Sequence, residues 1–168
     1  PLASPPATDA ASAKWWRHSV LWAVDTINPN SFNTAKHYRE VSAADAAIMQ
    51  ETKASGKAYD ALPAASAVDS WRIAASPAKN GTANGRRGGA AVLVRNCYAV
   101  EQTPGLRLCT EPHRAVFANT SLCGGATLVS LYLRSDEGLS AENKDLLEEA
   151  AGELAQLKSS WILGMDAN

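Results

Sequence analysis

Several features that would place this sequence of 168 residues in a familiar class are scarce or missing. Its three cysteines, Cys97, Cys109 and Cys123, are odd in number and lack C-x-x-C spacing, so neither a disulfide framework nor a zinc site is expected. The formal net charge is only -1, which creates no broad electrostatic field for collecting polyanions. Any contact with nucleic acid must therefore rest on a local basic patch.

Long apolar runs are also missing. None approaches the length of a membrane span, and the N-terminus lacks the basic-then-apolar order of a secretory signal. We therefore expect an intracellular protein, with the nucleus as one candidate compartment and no membrane partner. The chain starts at Pro1 without an initiator methionine, which predicts a fragment. Its apolar content of 46% suits one domain with a real core, while the oligomeric state stays open.

The chain begins with a segment of low complexity. Residues 1–18 are rich in Ala, Pro and Ser, which predicts a disordered or extended tail followed by one domain at 19–168. The β-rich run Val20–Val24 is expected to be the first core strand. The sequence Asn28-Pro29-Asn30 then marks a strand end, because proline cannot donate a hydrogen bond to a sheet and holds the preceding residue extended.

Two later apolar runs end in the same kind of polar residue. Ala46–Gln50 predicts a buried strand that stops at Glu51, and Trp161–Gly164 predicts a strand that delivers Asp166 and Asn168. Functional groups often collect at the carboxyl ends of strands, although a single Glu in such a place is more often an ordinary loop charge. Both predicted strands end at a carboxylate residue with an amide residue close to it in the sequence. Together they favour a single metal site.

The remaining pattern predicts an α+β layered domain, not a doubly wound parallel sheet, because short strands separated by Pro or Gly turns favour antiparallel pairing. The expected elements are a helix near 33–42 capped by Ser31 or Asn33, a broken helix at 55–69, and strands at 71–75, 90–95, 97–103, 114–119 and 126–133. The clearest helix follows Ser140 as N-cap, with an apolar face of Leu146, Leu147, Ala150, Ala151, Leu154 and Leu157.

A glycine-rich stretch at residues 80–89 precedes one of these strands. It carries Arg86 and Arg87 and ends in Gly88-Gly89. A phosphate cradle would need a helix after the glycines, and no Walker or dinucleotide pattern is present, so we interpret the stretch as a hairpin connection. Its two arginines are nevertheless the best local basic patch in the sequence.

The order of these motifs resembles the endonuclease/exonuclease/phosphatase superfamily and is most similar to the endonuclease domains of non-LTR retroelements. The resemblance covers the chain from about Ser19 to its end, and each motif is weak when taken alone. The motifs, in order, are Asn28-Pro-Asn30-Ser, Gln50-Glu51-Thr52, Gly88-Gly-Ala-Ala-Val-Leu-Val-Arg95, His113-Arg114, Val129-Ser-Leu-Tyr132, Asn143 with Leu146-Leu147, and Ile162-Leu-Gly-Met-Asp166-Ala-Asn168.

This resemblance implies a two-layer β-sandwich with helices on the outside, a four-layer α/β/β/α arrangement that is incomplete at its C-terminus. It implies that Glu51, with Asn28 or Asn30, holds Mg²⁺, with Mn²⁺ as an alternative, and that Asp166 orients or deprotonates the attacking water. Asn168 and Tyr132 would contact the scissile phosphate of a nucleic acid, most naturally DNA, with Arg114 in support. Read from the residues alone, Arg114 is a surface or structural charge, and Tyr132 and the asparagines suit strand ends and turns.

Two departures from the family pattern matter. Trp22-Ala23-Val24-Asp25 also resembles the start of abasic-site endonucleases, which leaves Asp25 as an alternative to Asn28 and Asn30. The family's closing Asp-His pair has no counterpart before Asn168, so we expect the fragment to be inactive. A phosphatase or lipid phosphodiesterase of the same fold and a non-catalytic interaction module remain alternatives to a nuclease.

Overall fold

The structure, a computed structural model, describes residues 21–80, 85–103, 112–134, 138 and 140–166. The strands within these ranges are β1 Val24–Ile27, β2 Ala46–Met49, β3 Trp71–Ala75, β4 Lys79–Asn80, β5 Arg86–Arg87, β6 Ala91–Arg95, β7 Val100–Gln102, β8 Ala115–Thr120, β9 Ala126–Tyr132 and β10 Ser160–Asp166. The helices are α1 Phe32–Val41, α2 Lys57–Asp60, α3 Leu62–Val68 and α4 Ala141–Gln156, with short 3-10 turns at Pro112–Arg114 and Leu122–Gly124. Within the described residues, no helix is long and apolar enough to cross a membrane.

Two four-stranded sheets form the centre of the fold, in the orders β1-β2-β6-β3 and β10-β9-β8-β7. In each sheet one pair is parallel, β1 with β2 and β9 with β10, and the other pairs are antiparallel. A parallel pair needs a crossover between its strands. The helices α1 and α4 lie in those two crossovers, and β4 and β5 form a separate small hairpin.

Three clusters of buried side chains build four layers. Between the sheets, the inward faces meet through residues such as Val92 and Val94 on one side and Val116 and Leu128 on the other. The outer face of the first sheet packs against α1, α2 and α3 through Ala35, Tyr38, Tyr59 and Leu62. The outer face of the second sheet packs against α4 through Leu146, Ala150 and Leu154. The α+β four-layer sandwich is therefore confirmed.

Most predicted elements are confirmed, including the broken helix at 55–69 and the N-caps. The hydroxyl Oγ of Ser31 accepts a hydrogen bond from the Thr34 amide at 3.1 Å, and Ser140 Oγ accepts one from the Asn143 amide at 3.3 Å. On α4, however, Ala151 is exposed and does not belong to the buried face.

The first strand was predicted wrongly. It runs from Val24 to Ile27 and leaves out residues 21–23 of the predicted strand Val20–Val24, of which Val20 lies outside the described residues. Leu21 and Trp22 are 48% and 40% exposed. The Ala23 carbonyl accepts hydrogen bonds from the Asp45 and Ala46 amides, so parallel pairing with β2 starts only there. Long-range pairing has overridden the local preference of an apolar, β-branched run.

Candidate active site

The carboxyl ends of four strands meet at one edge of the sandwich. Asn28 follows β1, Glu51 follows β2, Tyr132 ends β9 and Asp166 ends β10. Tyr132 and Asp166 are partners in the parallel register of β9 and β10, and the Leu133 amide donates to the Asp166 carbonyl at 3.0 Å. Each parallel pair thus brings two polar residues to the same end of its own sheet.

A close approach of the two sheets brings these ends together. A Cβ atom on Gly164 of β10 would stand 2.6 Å from both Ile48 Cγ2 and Thr26 Oγ1, so only glycine fits between β10 and the first sheet. The Ser130 hydroxyl of β9 donates to the Met49 carbonyl of β2 at 2.6 Å, which ties the central strands to each other. The edge strand β10 therefore lies directly over β1 and β2.

The side-chain amide of Asn28 connects the two sheets at this edge. Its Nδ2 donates to Glu51 Oε2 at 3.3 Å and also to Asp166 Oδ2. Its Oδ1 accepts the Asn30 amide at 2.9 Å, an Asx-type contact that fixes which way the side-chain amide faces. One carboxylate from each sheet is therefore hydrogen-bonded to the same neutral donor, Asn28 Nδ2.

The backbone at the site adopts conformations that side chains usually avoid. Asn30, Glu51 and Lys53 have φ values of 51°, 53° and 52°, in the left-handed region. Such conformations cost on the order of 1 to 3 kcal/mol each for residues other than glycine and persist only where the surroundings enforce them. Asparagine tolerates this region better than other residues, so the strain concentrates at Glu51 and Lys53.

A pair of glycines holds this strained loop in place. The Thr52 amide donates to the Gly89 carbonyl at 2.9 Å, the Lys53 amide donates to the Gly88 carbonyl at 3.1 Å, and the Gly89 amide donates to the His113 carbonyl at 2.9 Å. Both glycines have positive φ, and a Cβ on Gly89 would stand 2.6 Å from Thr52 Oγ1. Within the described residues, this buried hydroxyl has no hydrogen-bond partner.

The structure adds Lys53, which the sequence pattern did not single out. Its ammonium group donates to the Asn30 side-chain oxygen, and the Asn30 amide in turn donates to Asn28. Lys53 is thereby linked through Asn30 to Asn28, the residue that contacts both carboxylates. The only signal in the sequence was its position two residues after Glu51.

Arg114 is buried, with 2% of its surface exposed. Its Nε donates to the Tyr132 carbonyl at 3.1 Å and a terminal nitrogen donates to Asn143 Oδ1. Asn143 is completely buried, and its Nδ2 donates to the Arg134 carbonyl at 3.0 Å. This network fixes the end of β9, where Tyr132 is 7% exposed, against the start of α4.

The remaining predicted residues fall elsewhere. Asp25 lies inside β1 and accepts the Tyr38 hydroxyl at 2.6 Å, and burial together with this hydrogen bond raises the pKa of Tyr38 well above its usual value. That engagement makes Asn28, not Asp25, the residue that meets Glu51. Asn168 lies outside the described residues.

The donor set at this edge has the chemistry of a site for a hard cation. Within the described ranges, no cluster of three or more His, Cys, Asp or Glu side chains could hold a metal ion. Glu51 and Asp166 nevertheless bring two carboxylates to the side-chain amide of Asn28. Mg²⁺ takes oxygen ligands, often only one or two carboxylates, and keeps several waters. The residues present therefore fit Mg²⁺ and do not fit zinc.

Comparison with known proteins gives a match in structure only. No family model matches the chain, and no curated protein matches it. Among solved structures, it is similar to the crystal structure of AP endonuclease LMAP from Leishmania major, with a TM-score of 0.62 and 18% sequence identity. The match covers 86% of this chain and 54% of that chain, so this chain spans about half the length of that enzyme.

A likeness at this level of identity establishes the fold alone. The α+β sandwich of this chain is similar in fold to that of this AP endonuclease.

Proposed function

We propose that this chain carries residues of a Mg²⁺-dependent, retroelement-type DNA endonuclease site that hydrolyses phosphodiester bonds with an activated water. The observation that carries the proposal is the single amide of Asn28, which donates both to Glu51 and to Asp166. Each sheet contributes one carboxylate, Glu51 or Asp166, to the same edge of the sandwich, where the loop after β2 has a strained backbone held by two glycines. This arrangement suits a site in which one carboxylate binds a cation and the other accepts a proton. DNA as a substrate also implies an intracellular location, with the nucleus as one candidate compartment.

In this proposal Glu51 would hold Mg²⁺, or Mn²⁺, with the side chain of Asn28 or that of Asn30 beside it. The cation would supply charge stabilisation for the phosphate as the reaction proceeds. Asp166 would accept a proton from water at a carboxylate oxygen, since Asn28 keeps that carboxylate oriented. Tyr132 and Asn168 would contact the phosphate, and Arg114 would act indirectly by fixing the end of β9.

The first test measures cation binding without measuring activity. Mg²⁺ should raise the melting temperature of the wild-type chain, because a ligand that binds only the folded state stabilises it by mass action. Glu51→Gln should remove most of that shift, and Asp60→Asn, an exposed carboxylate on α2, should leave it unchanged. Equal shifts in wild type and Glu51→Gln would overturn the assignment of Glu51.

The second test measures cleavage of supercoiled and abasic DNA in Mg²⁺. We expect little or no nicking, because a positioned acid or base contributes on the order of 10² to 10⁴ in rate and the chain has only His18, His37 and His113. His113 is buried against Gly88, and His37 is exposed on α1. Robust nicking that disappears in Asp166→Ala would contradict the expected inactivity, while hydrolysis of phosphoinositides or sphingomyelin instead of DNA would favour a lipid phosphodiesterase.

A further inference from the structure

Thr52 is a buried residue next to the candidate site, and its hydroxyl group has no role in the function proposed so far. It lies between Glu51 and Lys53, the two residues with a strained left-handed backbone, and it is 4% exposed. Within the described ranges, its Oγ1 is one of two buried side-chain atoms without a hydrogen-bond partner, and the other is Ser66 Oγ on α3. Such a hydroxyl lowers stability, and a side chain of the same shape without it would avoid that loss.

The surroundings of Thr52 Oγ1 give a reason for an oxygen at this position. The point where Gly89 would carry a Cβ atom is 2.6 Å from Thr52 Oγ1, 3.2 Å from the Lys53 amide nitrogen and 3.4 Å from Ala78 Cβ. The hydroxyl therefore lies on the side of Gly89 where other residues carry their side chain. A Cα–H group accommodates a close oxygen, because C–H···O contacts are weakly attractive. A methyl group in place of the hydroxyl is wider and would press against Gly89.

The contact with Gly89 bears on the position of the Glu51 carboxylate. The Thr52 amide donates to the Gly89 carbonyl at 2.9 Å, so the backbone and the side chain of Thr52 contact the same glycine. Glu51, the preceding residue, has a φ of 53° and accepts the Asn28 side-chain amide at 3.3 Å. A displacement of Thr52 from Gly89 would consequently move the residue that meets Asn28.

We propose that Thr52 is a positioning residue whose hydroxyl oxygen, packed against Gly89, keeps Glu51 in the left-handed conformation in which its carboxylate can hold a cation. This inference rests on the proposed function, in which Glu51 binds the cation. Residues that orient a metal ligand typically weaken metal binding by about 10- to 100-fold when they are substituted. The small size of the oxygen is the decisive feature, so serine can replace threonine here, whereas valine cannot.

The experiment compares Thr52→Val with Thr52→Ser in two measurements. Hydrogen exchange at the backbone amides of residues 52 and 53, followed by nuclear magnetic resonance in EDTA, reports the contact with the glycines without any metal. In Thr52→Val the added methyl group should displace the loop, so these amides should exchange at least about tenfold faster than in wild type. Mn²⁺ binding, followed by electron paramagnetic resonance, should weaken by about tenfold. Thr52→Ser keeps the oxygen and should stay close to wild type in both.

A purely structural role for Thr52 predicts the reverse order. Thr52→Val would then be neutral or stabilising, because it removes an unpartnered buried polar atom and leaves the loop in place. Thr52→Ser would be the weaker variant, because it loses a buried methyl group. Exchange and Mn²⁺ binding that are as good in Thr52→Val as in Thr52→Ser, or better, would overturn the proposal.

The matched control is Ser66→Ala, which removes the other buried, unpartnered hydroxyl at a position on α3. It should change neither amide exchange in the loop nor Mn²⁺ binding, and effects equal to those of Thr52→Val would also overturn the proposal. A wild-type chain that binds no Mn²⁺ would contradict the proposed function. The order of the Thr52→Val and Thr52→Ser exchange rates in EDTA would still support or overturn the positioning role of Thr52.

Discussion

The four strands that supply the candidate site are of two kinds. β2 and β9 are central strands in which every residue is buried, and they lead to Glu51 and Tyr132. In the described part of the chain, β1 and β10 pair on one side only, and they lead to Asn28 and Asp166. Trp161, Ile162 and Met165 on β10 are 47%, 36% and 40% exposed.

Because of this difference, the part of the site around Glu51 is held rigidly, whereas the part around Asp166 is weakly supported. The backbone around Glu51 is fixed by Gly88 and Gly89, whereas Asp166 depends on an edge strand that contacts the first sheet through Gly164. Elements with few buried apolar contacts open at lower free energy than the core. The Asn28–Asp166 contact between the two edge strands is thus the part of the site that small changes should disturb first.

Truncation in a central strand should have the largest effect. Ile48 of β2 is 1% exposed and lies in the core between the sheets, so Ile48→Ala should lower the free energy of unfolding by about 2 to 5 kcal/mol. Urea denaturation followed by circular dichroism would measure this. A change below about 1 kcal/mol would mean that the sandwich interior is less well packed than the burial of Ile48 indicates.

The second-largest loss of stability is expected when the hydrogen bonds between Arg114 and Asn143 at the end of β9 are removed. Asn143→Ala removes a completely buried acceptor from the Arg114 guanidinium, and hydrogen bonds to charged groups contribute about 1.5 to 3 kcal/mol. Asn33→Ala, an exposed position on α1, is the control and should change stability by no more than about 0.5 kcal/mol. Similar effects for the two variants would remove the argument that Arg114 is held in place by Asn143.

A smaller but more specific effect is expected where the sheets approach each other. Gly164→Ala places a methyl group against Ile48 and Thr26 and should cost about 1 to 3 kcal/mol. Gly152→Ala on α4 meets no atom within 4 Å and should instead stabilise the protein by roughly 0.5 to 1 kcal/mol. Opposite signs in thermal melts are predicted, and a neutral Gly164→Ala would mean that β10 does not lie against β1 and β2.

The smallest effect is expected on the edge strand. Ile162→Ala makes the same chemical change as Ile48→Ala at a position that is 36% exposed, so it should cost less than about 1 kcal/mol. The ratio of the two isoleucine variants measures the contrast between central and edge strands directly. Equal costs would mean that the exposed side of β10 is covered in solution, for example by association through its free edge, which concentration-dependent size-exclusion chromatography would detect.

Local sequence was sufficient for most of the elements and for the strand ends that lead to the candidate site. Strand ends were identified from the apolar runs before Glu51 and Asp166 and from the Asn-Pro-Asn turn. These signals are local, because burial of an apolar run and the backbone restriction by proline depend on neighbouring residues. The meeting of these ends depends on sheet register and on Gly164, which no local pattern specifies. For the same reason Val20–Val24 was preferred over the true β1, whose limits are set by its pairing with β2.

The features that could not be predicted from sequence are long-range or strained. The glycine-rich stretch was correctly interpreted as a hairpin, but its role in holding Thr52 and Lys53 follows only from backbone contacts across the fold. A positive φ at Glu51 contradicts its local preference, as is expected at functional sites. Arg114, expected near the phosphate, is buried under β9, because its partner Asn143 is 29 residues further along the chain.

The most direct test of the central claim, that Glu51 holds a cation next to Asp166 of the other sheet, is a Mn²⁺ titration followed by the electron paramagnetic resonance signal of the free ion. The wild-type chain should bind one Mn²⁺ that Mg²⁺ displaces. Glu51→Gln and Asp166→Asn should each weaken binding by at least about tenfold, whereas the exposed control Asp60→Asn should not. Wild-type affinity in either site variant would contradict a shared site.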